Sequence, residues 1–171
     1  MVRWAHLPVA FVALAAWAGA QGPAPEPQLS PADQVRLLKA NGTLIGNLVD
    51  HGVQLAGEDH IEKRAEECHK AALALANAIR DAAARQDAAR VAELTALFRD
   101  VVKDGLLPTL KRGDDTVPPQ SPAAATLRRV REAAAKDVSS LKAAIPAVGK
   151  VGESARVRDA LKGLDELVEP K

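Results

Sequence analysis

The sequence predicts an all-α protein, and three observations carry that prediction. Apolar residues recur at steps of three and four through most of the chain beyond residue 30, the period of one helix face. Ser or Asp stands where the periodic stretches begin, twice as the pair Ser-Pro, and Gly or Pro stands where most of them end. The one stretch open to a strand reading, 43–55, keeps the three-and-four spacing throughout. Short connections make successive helices antiparallel neighbours, so the expected architecture is an antiparallel up-down helical bundle of four to five helices after a cleaved signal peptide.

The amino-terminal stretch has the three parts of a secretory signal. Met1–His6 carry one positive side chain, Arg3; Leu7–Trp17 are apolar; Ala18-Gly19-Ala20 supplies a small-residue cleavage site. The apolar run falls short of the roughly 20 residues that span a bilayer. Residues 1–20 are therefore expected to be removed and the remainder to work outside the cytoplasm, in the periplasm or secreted. Gly22–Leu29, with Pro23, Pro25 and Pro27, reads as a Pro-rich tether over 21–29. The helical bundle should fill 30–171.

Ser30-Pro31-Ala32-Asp33 opens the first helix, about 31–56. Leu37, Leu44, Leu48 and Leu55 lie along one side, with Leu38, Ile45 and Val49 beside them. Gly42, Gly46 and Gly52 weaken a helix by about 1 kcal/mol each relative to Ala, which points to close approach of another helix. Gly57 ends it, and Asp59 with Glu62 resembles a capping box for the second helix, about 59–85. There Ile61, Ala65, Cys68, Ala72, Leu75, Ile79 and Ala82 alternate steps of four and three, a narrow small-residue seam. Asp87 caps a third helix, about 87–104, with Val91, Leu94, Phe98 and Val101 inward and Leu97 and Val102 widening the stripe. Gly105 and Pro108 mark its end or a kink, and Leu106, Leu107 and Leu110 close over the bundle end. Lys111–Gln120 is a loop by composition. Ser121-Pro122 starts a fourth helix, about 122–145, carrying Leu127, Val130, Ala134, Val138, Leu141 and Ile145. Pro146 and Gly149 end it, and Ser154 caps a fifth, about 154–168, with Val157, Leu161, Leu164 and Val168 inward. One bundle of five helices is the first expectation, and two halves split near residue 117 the second.

Composition excludes several function classes. Beyond residue 20 the chain holds 22 basic and 22 acidic residues, so the basic excess of a nucleic-acid binder is missing. No polybasic cluster addresses an anionic membrane, and no insertion is expected once the signal is removed. Phe98 is the one aromatic residue after residue 20, too few for stacking platforms or cation cages. Nucleophile-elbow, P-loop and dinucleotide motifs are absent, and no acid–base or nucleophile constellation points to an enzyme. The basic side of the fourth helix, Arg128, Arg129, Arg131 and Lys136, alternates with Glu132 and Asp137 and reads as a solvated face.

Two metal sets are worth naming. A hairpin turning at Gly57–Glu58 brings His51 near His60, and Asp50, Asp59 or Glu62 would complete a Zn²⁺ or Cu²⁺ set. Cys68 and His69 form a second set, with Glu66 and His69 as half of a di-iron Glu-x-x-His motif; its second copy is missing. Ala65-Glu66-Glu67-Cys68-His69 also resembles a haem-attachment motif with Ala for the first Cys, but no Met follows residue 1 to serve as axial ligand. The competing reading makes Cys68 a small buried thiol in the seam and puts Glu66, Glu67 and Lys70 on the solvated face, with Glu66–Lys70 an i, i+4 pair. On that reading the protein binds no cofactor.

The text "LVDHGVQLAGEDHIEKRAEECHKAALALANAIRDAA" followed by "ARVAELTALFRDVVKDGLLPTL", within residues 41–110, resembles uncharacterised exported all-helical proteins of high-GC bacteria associated with extracytoplasmic sigma factors. The resemblance implies a role as an accessory to envelope stress or signalling. The function expected is therefore non-enzymatic: an exported bundle acting through a helix face on another protein, a second copy of itself included. A small metal-binding bundle using His51 and His60 is the alternative.

Overall fold

A computed structural model describes residues 30–165 and Leu167, with all side chains among them except those of Asp33, Gln34, Leu37 and Ala40. The expected signal peptide, the tether and the inward placements of Leu37 and Val168 lie outside the described residues. Every regular element described is helical, and the class is all-α. The elements are α1 (Pro31–Gly57), α2 (Ile61–Ala84), α3 (Ala88–Asp100), a π-helical segment (Val101–Leu106), α4 (Leu107–Thr116), α5 (Pro122–Ala144), α6 (Gly149–Gly152) and α7 (Ala155–Asp165).

The central helix is α2, which packs against α1, α3, the π segment, α4 and α5. Its seam explains the position. Ala65, Cys68, Ala72, Leu75, Ile79 and Ala82 are buried as their spacing predicts, and Ala71, Ala76 and Ala83 are buried beside them. Small side chains on several sides let several helices approach one helix. Leu75, Ile79, Phe98, Val138, Leu141, Val151, Val157 and Leu164 belong to one buried cluster, so helices before and after the 117–121 connection share a core. A second cluster joins Ala65 and Cys68 to Leu106, Leu110, Leu127 and Val130.

Polar pairs give the relative directions. Leu55 and His51 of α1 meet Arg64 and Glu67 of α2 in opposite chain order. Glu66, His69 and Arg80 of α2 meet Arg129, Asp137 and Ser140 of α5 in ascending order, so those two helices run in the same sense. The α1–α2 turn is tied by Arg64, whose guanidinium donates to the carbonyls of Leu55 and Glu58 at 3.0 and 3.1 Å. These are carbonyls that a helix end leaves without partners.

Three caps follow the sequence. Asp87 accepts from Arg90 N–H at 3.0 Å, Ser121 from Ala124 N–H at 3.2 Å, and Ser154 from Val157 N–H at 3.5 Å. The capping box expected of Asp59 and Glu62 does not form: α2 starts at Ile61, and His60 at its cap position makes no side-chain cap bond. Glu58 takes the local role instead, accepting from the His60 backbone N–H at 2.9 Å. That hydrogen bond is the main reason its carboxyl is held below the usual range.

Of the end or kink expected at Gly105 and Pro108, the end is absent, and an irregular turn takes its place. The helical path runs on to Thr116 through the π segment, where Leu107 N–H donates to the carbonyl of Val102. Proline inside an α-helix collides with the carbonyl four residues earlier. A wider turn immediately before Pro108 relieves that collision, and Pro108 then sits in the first turn of α4. Thr109 Oγ1 donates to the Gly105 carbonyl at 2.7 Å. The loop expected over Lys111–Gln120 is likewise shorter, because α4 continues to Thr116. Gly113 is buried in α4 where α5 comes close: a Cβ there would lie 2.5 Å from Leu127 Cδ1. Its lack of a side chain serves packing, not a turn. Leu107 and Leu97 are exposed, against expectation, whereas Leu106 and Leu110 are buried in the second cluster.

The first helix departs most from expectation. Leu44 is buried and Leu48 and Leu55 half-buried against α2, but Leu38, Ile45 and Val49 are exposed. One neighbouring helix covers one face, and a step of about 100° per residue turns Ile45 away from the side Leu44 buries. Gly42, Gly46 and Gly52 do not sit against another helix among the described residues either: a Cβ on any of them would meet none of their atoms within 4 Å. No helix among the described residues is long and apolar enough to cross a membrane.

Candidate functional site

Two surfaces hold the residues with chemical or recognition potential. The first is a polar seam along α2, formed where residues flanking buried Cys68 reach out to the neighbouring helices. Glu67 points to α1: its carboxylate lies 2.9 Å from His51 Nδ1 and accepts from Lys70 Nζ at 2.6 Å. His69 points to α5, its Nε2 2.8 Å from Asp137 Oδ2. Glu66 accepts from Arg129 at 2.8 Å, and Asp114 of α4 from Arg131 of α5 at 2.6 Å. Glu66, Glu67, Arg129, Arg131 and Asp137, read as parts of solvated faces, therefore bridge helices.

The pairing of Glu66 with Lys70 gives way to Glu67 with Lys70 and Glu66 with Arg129. Glu67, at 17% side-chain exposure, stands between two donors from different helices, which the spacing within α2 could not show. The Lys70 bond and then the His51 bond hold its carboxyl below the usual range, against the opposing effect of partial burial. The same bond pushes Lys70 up.

A pH dependence follows from that direction. A carboxyl depressed in the folded state stabilises the fold above its unfolded pKa and loses that contribution as pH falls through the depressed value. Glu67→Gln is expected to lower stability at pH 7 by at most about 1 kcal/mol, since the pair is partly solvated. The gap should close below the ordinary value of 4.5. Urea midpoints of both proteins at pH 7 and pH 3 measure it, and a gap that widens in acid would contradict the geometry.

Cys68 itself is buried, at 6% exposure, with Sγ against the π segment near Gly105. Burial pushes its thiol up, only partly offset by a hydrogen bond with Thr109. A reactive cysteine needs the opposite, an exposed thiolate in electropositive surroundings. A water-soluble maleimide is expected to label it on the order of a hundredfold or more slower in the folded protein than in urea, because access requires local opening. Equal rates would show that the seam is open.

The expected metal sets are not assembled. His51 pairs with Glu67 while His60 pairs with Glu58 at 2.8 Å. Among the described residues no group of three His, Cys, Asp or Glu lies close enough to hold a metal ion. That applies to His51, His60 and Glu62 and equally to Cys68 and His69. An open groove between α2 and α5, lined by Glu66, His69, Lys70, Arg129, Val130 and Ala133, is spanned by the Glu66–Arg129 pair.

The second surface is the outward face of α1. Val35, Leu38, Ile45, Val49 and Val53 are each between 53% and 73% exposed. Their spacing, completed by Gly42, puts them in one line along the helix. Val35 and Val53 extend the trio Leu38, Ile45 and Val49 to both ends of α1. The signal that could have found this face is the heptad step from Val35 to Gly42 to Val49. A row of this length is unlike the singly scattered apolar residues of an ordinary surface.

No family model matches the chain, and neither a curated protein nor a solved structure matches it.

Proposed function

We propose that this is an exported, non-enzymatic helical protein that acts by protein–protein interaction through the outward face of α1, as an accessory to envelope signalling or stress. The observation that carries this reading is the uncovered row Val35–Leu38–Ile45–Val49–Val53. An apolar row rimmed by polar residues is the usual form of a recognition face for another helix. The chemistry elsewhere points the same way: the titratable side chains of the seam are occupied in bridging helices, and the thiol is buried. Export rests on the charged start, apolar run and small-residue end of residues 1–20.

The test is site-specific photo-crosslinking in cells that express the full chain. A photoreactive residue at Ile45 is expected to give an adduct with a protein. The same residue at Ala135, exposed on α5, is expected to give none. Absence of any protein adduct from Ile45 and Val49 would end the reading.

A further inference from the structure

Resting on that reading, we infer that the partner of the α1 face is the same face of a second copy. The two α1 helices run antiparallel about a twofold axis level with Leu44 and cross at Gly42 and Gly46. Three observations lead there independently.

The first is that α1 carries two apolar faces where one suffices. Leu44, Leu48 and Leu55 already pack on α2. The outward row has positions 35, 38, 42, 45 and 49, the alternating three and four of a two-helix seam, and Val53 continues its edge. A seam of that kind is completed by a helix of the same kind.

The second is the glycines. Gly42 and Gly46 lie inside a 27-residue helix, where glycine is unfavourable. Nothing among the described residues comes within 4 Å of where their side chains would be. The fold gives no reason for them, whereas small residues at a crossing allow two backbones to come close, as they do wherever helices pack without intervening side chains.

The third is charge. Lys39 flanks the row near its start and Asp50 lies on the same side near its end. A parallel copy in register would set like charges side by side; an antiparallel copy sets the basic end against the acidic end. With the axis level with Leu44, Val35 stands opposite the partner's Val53 and Gly42 opposite the partner's Gly46. Lys39 stands within one residue of the partner's Asp50. Apolar ends, glycines and opposite charges all match in the same register, which is the self-complementarity a twofold interface requires.

The experiment uses protein produced from the full chain. Light scattering is expected to give twice the chain mass at micromolar concentration. Ile45→Lys sets two like charges beside each other near the axis. It also replaces a β-branched residue by a better helix former at an exposed site, so it should leave the fold intact. It is expected to raise the dimer dissociation constant by roughly a hundredfold or more, with helical content unchanged.

Register is read by cysteine pairing in a Cys68→Ala background. Chains with Val35→Cys and with Val53→Cys should cross-link to each other on mild oxidation and not to themselves. In the antiparallel pair, two copies of residue 35 stand roughly 27 Å apart, beyond disulfide reach. Self-linked chains of either variant, or a monomer at every concentration up to about 100 µM, would overturn the inference; the dimers known to form specifically hold together well below that.

The photo-adduct at Ile45 separates this failure from failure of the interaction reading. An adduct of twice the chain mass supports the twofold pair. An adduct with a different protein overturns the pair and leaves the interaction reading standing. An adduct within one chain, to residues 1–29, or co-sedimentation with lipid vesicles that Ile45→Lys abolishes, overturns both.

Discussion

Replacing Phe98 with alanine is expected to lower the unfolding free energy by about 3–5 kcal/mol, the range for removing a fully buried aromatic ring. Phe98 is 1% exposed and sits in the large core cluster with Leu75 and Ile79 of α2, Leu141 of α5 and Leu164 of α7. Elements from both sides of the 117–121 connection contribute to that cluster. Its loss therefore leaves a cavity that no single helix can shift to fill. For a chain of this size the melting temperature should fall by roughly 10 °C. Circular dichroism melts of the wild-type and Phe98→Ala proteins measure it. A change under about 1 kcal/mol would mean that the later helices do not seal that core.

The second large effect is expected at Gly152, at the end of the short helix α6. A Cβ there would fall inside van der Waals distance of the Ala147 carbonyl and 2.7 Å from the Pro146 carbonyl oxygen. Both are backbone groups, which cannot swing aside as a side-chain tip does. Gly152→Ala should therefore cost about 2–3 kcal/mol through forced backbone movement. Val151, buried beside it, and Val157 and Leu164 of α7 depend on that turn for their approach to α3. Gly57→Ala, at a position where a Cβ meets nothing within 4 Å, serves as the control and should change stability by less than about 1 kcal/mol. Urea titration compares the two, and equal effects would contradict the close passage at Ala147.

What could be read in the chain was whatever depends on neighbours three and four residues apart. The α2 seam, the Asp87 and Ser121 caps and the inward Val157 and Leu164 are of that kind. What could not be read depends on residues far away in the chain. Gly113 looks like a loop glycine because a tight turn and a tight helix crossing both ask for the same missing side chain; only Leu127 above it distinguishes them. Glu67 looks solvent-facing until His51 arrives from sixteen residues back, and His69 until Asp137 arrives from α5. On α1, apolar content was legible but not its division between two faces. That division depends on how many helices stand around α1, and the covering helix is α2. The outward face of α1 was thus visible as hydrophobicity and hidden as exposure.

The wide turn at Val101–Leu106 has an effect on everything after it. Phe98 and Leu110 are twelve residues apart, and twelve steps of about 100° would leave them roughly 120° out of phase in an uninterrupted α-helix. Taking up one residue in the π turn leaves eleven effective steps, which brings the two side chains back to within roughly 20° of one another. Both are buried accordingly. The extra residue works as a phase correction: it confines a one-residue mismatch to six positions and hands α4 on to α5 in the orientation that Gly113 and Leu127 need. Losing a single residue from this stretch would turn the whole of α4 like a key in a lock, whereas the same loss in the 117–121 connection would merely shorten a link.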